Sequence, residues 1–469
     1  MRLKLPPKVE YIIDILQRHG FEAYAVGGCV RDSVLALTPE DWDITTSAKP
    51  EEVKACFRRT VDTGIRHGTV TVMLDDEGFE VTTYRIDGRY TDGRHPDQVT
   101  FTPNLRDDLM RRDFTINAMA YNDERGLVDL YGGMQDIQRR VVRCVGDPDA
   151  RFDEDALRIM RAVRFAARFG FALEPRTRDA IGRHAEHLRL VSAERIREEL
   201  VKTITALHPE LFRDFYELGI TAVILPEFDV CMRTPQHTPH HAYNVGDHII
   251  RSMCEVPAEP VLRLTMLLHD LGKPAARTTD ASGRDHFKGH AAISAKMADA
   301  ILRRLRFDND TRKQVVNLVR WHDMRPEPTP QAVRRAMVTV GPEHFEDYLA
   351  VQWADNMAKS RYHLDRKMKR LDAVYQIYRR VLADGDCLRI RELEVSGDDL
   401  KAAGFRGPEI GRILGLCLDA VLEDPRRNRR DVLLGLAGSA EKAGTAVRDP
   451  ACLSGGDGQE AETAGPAAR

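Results

Sequence analysis

The feature that most restricts this chain is a change of hydrophobic period about one third of the way along it. Up to about residue 145, helix and strand signals mix: "GTVTVML" and "FEVTTYRI" are β-rich runs separated by "DDEG", which predicts a hairpin. After about residue 147 the strand signal fades, and "EDALRIMRAVRFAARFGF", "PRTRDAIGRHAEHL" and "SAERIREELVKTITAL" carry a helical period instead. The expected class is therefore α+β: a mixed sheet with helices first, then an all-α remainder. Ser192 is the expected N-cap of the third of those helices, with Glu194 in its first turn.

Length and composition narrow the class further. A chain of 469 residues has room for about two to four domains. A formal net charge of −3 means that any nucleic acid must be met by local basic stripes rather than by a global positive field. The 8 cysteines are scattered, with no Cys-x-x-Cys pair, which argues against structural zinc and disulfides and for a reducing cytosol. No apolar run approaches the ~18 residues a membrane span needs. The N-terminal "PPKVEYIIDILQRHGF" reads as a short amphipathic helix opened by a proline pair. From about 436 the sequence is small, polar and aperiodic, the composition of a disordered tail.

Chemistry concentrates first in "EDWDITT". If these residues form a strand, Asp41 and Asp43 face the same way and Trp42 packs on the opposite face. Two adjacent carboxylates repel unless a cation lies between them, and magnesium suits one or two carboxylates plus phosphate oxygens. A solvated strand end is the plainer alternative. Upstream, Gly27 and Gly28 follow the apolar "AYAV" and precede a helix-like segment, where backbone N–H groups could approach phosphates. The alternative there is a tight turn, and the spacing is not a dinucleotide fingerprint. Glu80 supplies a third carboxylate, and Arg111 and Arg112 are placed to hold a triphosphate.

Taken in order, Gly-Gly-x-Val-Arg-Asp, Asp-x-Asp, Arg-Arg-Asp-Phe-Thr-Ile-Asn-Ala-Met and Glu-Asp-x-x-Arg resemble the class II tRNA nucleotidyltransferase and bacterial poly(A) polymerase family, from about Tyr24 to Asn428. The resemblance implies a polymerase-β-like nucleotidyltransferase head followed by an elongated helical remainder. It implies that Asp41 and Asp43 carry Mg2+ and are catalytic, with Glu80 in the place of a third acid. Gly27, Gly28, Arg31, Arg111, Arg112, Asp113 and Asn117 would bind the nucleotide. The implied domains are a head (1–145), a helical neck that selects the nucleotide (146–230), an HD domain (231–370), a tRNA-binding body and tail (371–435) and a disordered end (436–469).

The same resemblance makes Glu154, Asp155 and Arg158 an amino-acid template. Asp155 and Arg158 are three apart, so on one helix they share a face, and a surface ion pair is the plain reading. Cytosine and adenine each carry an exocyclic amine beside a bare ring nitrogen. A carboxylate accepting from the amine and a guanidinium donating to the nitrogen fit both and reject guanine and uracil. Arg158, Arg161, Arg164 and Arg168 recur along one side of that helix, as a solvated face or as a track for triphosphate and RNA. Glu194 and Arg197 read as a brace for it. The loop "DGRYTDGRHPD", 87–97, is expected to shift the template between the two bases.

A second constellation comprises His248, His269-Asp270 in "LLHDLGK", His290, His322 and Asp355. It resembles the HD metal-dependent phosphohydrolase domain, with His248, His269, Asp270 and Asp355 as the implied core ligands of a divalent metal and His290 and His322 as those of two-metal versions. A helical scaffold retained without activity is the alternative.

The expected function is transfer of CMP and AMP from CTP and ATP to a tRNA 3′ end, in the cytoplasm and away from membranes. The alternatives are an A-only or poly(A) enzyme, and a phosphohydrolase whose head merely binds nucleotide. Oligomeric state leaves no mark on the sequence.

Overall fold

The computed structural model describes residues 2–88 and 99–445. They belong to two compact units, Met1–Met324 with Glu346–Met368, and Arg325–Phe345 with Lys369–Arg469.

The first unit opens with the expected amphipathic helix, Pro7–Arg18, whose Val9, Ile12, Ile13 and Leu16 are buried. A seven-stranded mixed sheet follows. Its order is Thr60–Gly64, Thr69–Leu74, Glu77–Thr83, Ile44–Thr46, Ala23–Val26, Met119–Asn122, Gly126–Asp129. Every pair is antiparallel except Ile44–Thr46 with Glu77–Thr83. The hairpin expected from "DDEG" is present: Leu74 pairs with Glu77, and Asp75 takes the left-handed φ of 55° in the two-residue turn. The interior strand "AYAV", with neighbours on both sides, is buried along its whole length, as an apolar run with no polar alternation requires.

Helices dominate after residue 147. Leu157–Phe169 buries Ile159, Met160, Ala162, Val163 and Ala166, each large apolar side chain contributing about 1.5–3 kcal/mol. Ala193–Ile204 follows, with Ser192 at the N-cap position as expected but forming no side-chain cap hydrogen bond. Two short strand pairs interrupt the helical part: Val141–Val142 with Ala172–Leu173, and Thr278–Thr279 with Asp285–His286.

In the second unit, the buried Arg334 on helix Pro330–Val340 donates to the Leu422 and Glu423 carbonyls at 2.8 and 3.2 Å. It thereby satisfies carbonyls that the end of helix Pro408–Glu423 leaves without partners. The disordered end expected from 436 does not hold over 436–445, because Arg430–Thr445 is helical; residues 446–469 lie outside the described residues. So does nearly all of the 87–97 loop, since 89–98 are not described.

Candidate functional site

Asp41 and Asp43 do not lie on the strand, as expected from their spacing, but in extended chain just before Ile44–Thr46. The Asp43 carbonyl accepts the Val26 N–H at 3.0 Å, which ties this segment to the end of strand Ala23–Val26. Both carboxylates are exposed, and Trp42 is half-buried against the core. Asp41, Asp43 and Glu80 line one cleft of about 900 Å3. Crowding by the protein pushes the Asp43 carboxyl above its usual range; Arg112 opposes this, and the Asp41 charge adds to it. Asp41 and Asp43, which repel one another on a cleft that Glu80 also lines, suit a hard cation.

Gly27 serves the site differently from the expected phosphate cradle. Its N–H is spent on the Met119 carbonyl at 3.1 Å. Its φ is 83°, and a Cβ there would come within 2.7 Å of Arg112 Nη1. The glycine therefore makes room for the Arg112 guanidinium. Buried Asp108 holds that group loosely, 3.7 Å from Nη2, and binds Arg111 at 2.7 Å. Arg112 Nε is buried with no hydrogen-bond partner, a donor that an anionic ligand would satisfy.

Arg31 is no surface ligand. It is 3% exposed, packs 5.0 and 4.9 Å from the Phe165 and Phe169 ring centres, and binds Asp32 and the Asn117 side-chain carbonyl. Asn117 in turn donates to Asp113, which Arg161 grips with Nε at 2.9 Å and Nη2 at 2.6 Å. Burial alone would raise the Asp113 carboxyl, but Arg161 and Asn117 hold it well below the usual range. These residues lock the Leu157–Phe169 helix against the sheet domain.

The arginine stripe is largely neutralised rather than a free track. Arg161 meets Asp113, Arg164 lies 2.7 Å from Glu199, and Arg168 lies 3.0 Å from Asp32. Burial pushes the Arg164 guanidinium down to about 10, against the pull of Glu199. The expected brace, Glu194 and Arg197, instead contacts Arg306 beyond the His290–Arg304 helix; the brace is Glu199, one helical turn on.

Asp155 and Arg158 do not share a helix face, because Asp155 sits in the break between helices Pro148–Glu154 and Leu157–Phe169. One of its oxygens accepts the Leu157 N–H at 3.0 Å and the other meets Arg195 at 2.7 Å. Arg158 pairs with Glu154 and donates to the Arg151 and Arg111 carbonyls at 3.1 Å. Arg195 was not among the expected site residues; the signal for it is a basic residue next to Glu194 in "SAERIREEL".

The His/Asp constellation does assemble. His269, His290 and His322 each give Nδ1–H to a backbone carbonyl at 2.7 Å, and His248 does so at 3.3 Å. A carbonyl only accepts, so each Nε2 of a neutral ring keeps its lone pair. Those of His248 and His269 approach Asp270 Oδ2 at 3.3 and 3.2 Å, and those of His290 and His322 approach Oδ1 at 3.2 and 3.6 Å. Asp355 joins His248 at 3.1 Å. Burial pushes the His248 imidazole down to about 4, and Lys273 Nζ lies 2.7 Å from Asp270 Oδ2. The two groups that share Asp270, one with His248 and His269 and the other with His290 and His322, would suit divalent cations, which imidazole and carboxylate ligands hold. Lys273 and Lys359, on Asp270 and Asp355 at 2.7 and 2.5 Å, complete the group.

Comparison with known proteins agrees with this arrangement. Residues 23–143 match the family described as "Poly A polymerase head domain", 170–232 "Probable RNA and SrmB- binding site of polymerase A", and 240–374 "HD domain". A CCA-adding enzyme of Lactobacillus delbrueckii is 50% identical over 211 residues, 45% of this chain and 53% of that one, so that alignment spans about half of the relative. The CCA-adding enzyme of Lactiplantibacillus plantarum is 34% identical over 430 residues, 91% of this chain and 94% of that one. The Bacillus stearothermophilus CCA-adding enzyme, solved in complex with CTP, superposes with a TM-score of 0.72 at 28% identity, over 94% of this chain and 100% of that one. With a head cleft of paired aspartates, a locked helical neck, an HD cluster and a relative aligned along nearly its whole length, the chain belongs to the CCA-adding enzyme family.

Proposed function

We propose that this protein adds CMP and AMP, taken from CTP and ATP, to the 3′ end of tRNA without a nucleic-acid template. The observation that carries the reading is the head cleft: Asp41, Asp43 and Glu80 line it, and Arg112, whose Nε is buried without a hydrogen-bond partner, acts on Asp43. Asp41 and Asp43 would hold Mg2+, which when bound makes the RNA 3′-hydroxyl more acidic and offsets charge on the triphosphate. Gly27 leaves the space in which Arg112 meets phosphate oxygens. Arg111, held by Asp108, keeps its carbonyl on Arg158 and so couples phosphate and base recognition. Arg31, Asp113, Asn117, Arg161 and Arg164 position the neck rather than touch nucleotide.

Asp155 uses one acceptor site of each oxygen on Leu157 and Arg195. It retains lone pairs for a base amine, and Arg158 supplies the donor for the neighbouring ring nitrogen. The head (1–145) and neck (146–230) would carry this transfer, and the region 371–435 would meet the tRNA. A cytoplasmic location follows from that substrate; among the described residues no helix is long and apolar enough to cross a membrane.

A second activity, phosphohydrolysis at residues 231–370, rests on the converging Nε2 atoms around Asp270. His248, His269, Asp270 and Asp355 would hold one divalent metal, and His290 and His322, sharing Asp270, another.

The transfer reading is tested with tRNA lacking its terminal three nucleotides and each labelled triphosphate in turn. CTP is expected to label the RNA, ATP to label it only after C addition, and GTP and UTP to do so about 5- to 150-fold less well, the scale of a lost bidentate base contact of about 1–3 kcal/mol. Equal use of all four overturns the base-selection scheme.

A further inference from the structure

We propose a third metal site, of the zinc class, formed by Asp153, His184 and His187 on the outer face of the neck. His184 closes helix Pro175–His184, His187 lies three residues on, and Asp153 comes from helix Pro148–Glu154. The three candidate ligand atoms lie 3.1 Å (His184 Nδ1 to Asp153 Oδ1), 3.4 Å (His187 Nδ1 to Asp153 Oδ1) and 3.5 Å (His184 Nδ1 to His187 Nδ1) apart. A tetrahedral ion with bonds of about 2.0–2.1 Å has ligand atoms about 3.3–3.4 Å apart. One face of such a tetrahedron is therefore already laid out, and the fourth position faces solvent.

A second observation points the same way. The far nitrogen of His184, Nε2, lies 2.8 Å from Asp149 Oδ1, and Arg183 holds both Asp149 oxygens, at 2.8 Å each. A carboxylate on the remote imidazole nitrogen fixes the tautomer that leaves Nδ1 as a lone pair, the usual arrangement behind a histidine metal ligand. That lone pair then faces a carboxylate oxygen and a second imidazole nitrogen, as ligands around a cation do. The rival arrangement is a doubly protonated His184 bridging Asp149 and Asp153, which needs no metal. Cysteine is absent from the set, and two imidazoles with one carboxylate favour Zn2+, Co2+ or Ni2+ over Mg2+.

The location gives the site a role. Asp153 is followed directly by Glu154, which holds Arg158, and by Asp155. An ion joining the two helices would anchor the segment that presents the proposed base-reading pair. The binding site itself stands independently of that reading.

The test uses the full-length protein, its His187→Ala variant and its Asp153→Asn variant, each dialysed against micromolar zinc and analysed for bound metal. Head and HD ligands are unchanged in all three, so their metal cancels in the difference. Wild type is expected to hold one more equivalent of zinc than either variant, and cobalt substitution should give a visible d–d difference spectrum of a four-coordinate site. Asp149→Asn should keep that equivalent at saturation but weaken its affinity about 10-fold or more. Both ligand residues are substantially exposed, with side chains 45% and 59% accessible, so the variants should fold, and circular dichroism checks it. Equal zinc content in wild type and both variants overturns the proposal in favour of the imidazolium bridge. This readout is independent of nucleotide addition, so its failure leaves the transfer reading intact.

Discussion

Asp43→Asn is expected to lower CMP and AMP addition by about 10³-fold or more, the rate equivalent of several kcal/mol of transition-state charge stabilisation. The substitution keeps the shape of the side chain and removes only its charge. The Asp43 carbonyl still accepts the Val26 N–H, so the segment keeps its place beside the sheet. The carboxyl is already pushed above its usual range by its surroundings, so the folded protein should lose no stability with the charge. Any phosphohydrolase activity should be untouched. Addition at more than a tenth of the wild-type rate, measured with tail-less tRNA and CTP, would remove Asp43 from the centre of the reaction.

Asp270→Asn should have an effect of similar size on the second site and a different signature. Phosphohydrolysis should fall by about 10³-fold, and the metal content of that domain should fall with it. Unlike the head variant, this one should also destabilise the metal-free protein. Asp270 and Lys273 are 1% and 4% exposed and 2.7 Å apart, and removing one partner of a buried pair costs about 3–5 kcal/mol. Burial alone would raise the Asp270 carboxyl, but His269 and Lys273 hold it well below the usual range. With a folded value depressed below an unfolded value near 3.9, its contribution is fully present above about pH 4 and fades as pH falls through the folded value. The wild-type-to-variant difference in melting temperature at pH 7 should therefore shrink in acid. A stable variant that still hydrolyses phosphate esters would contradict the cluster's role.

Much of this was legible in the sequence where the determinants are local. The 69–83 hairpin is written in a period of two with a turn between its strands. The HD histidines stand out because His-Asp at the end of an apolar helix has few structural uses. What escaped depends on partners distant in sequence. The arginine spacing placed Arg161, Arg164 and Arg168 on one helix side, yet their carboxylates come from Asp113, Glu199 and Asp32, and only folding reveals the neutralisation. Asp155 was misplaced because "EDALRIM" continues the helical period through a break. The Asp155 side chain instead accepts the Leu157 N–H at the start of the second helix, the local bond that short acidic side chains favour where a helix begins. Gly27 was expected to offer its N–H to phosphate, yet that N–H is bonded to the Met119 carbonyl, and the close approach of Arg112 to where a Cβ would stand depends on a residue 85 positions on.

Sequencing the 3′ ends made from tail-less tRNA with CTP and ATP together shows whether the protein itself templates a defined tail. The dominant product is expected to end in C, C, A and to be extended no further. Tails of A alone, or long heterogeneous tails, would contradict it.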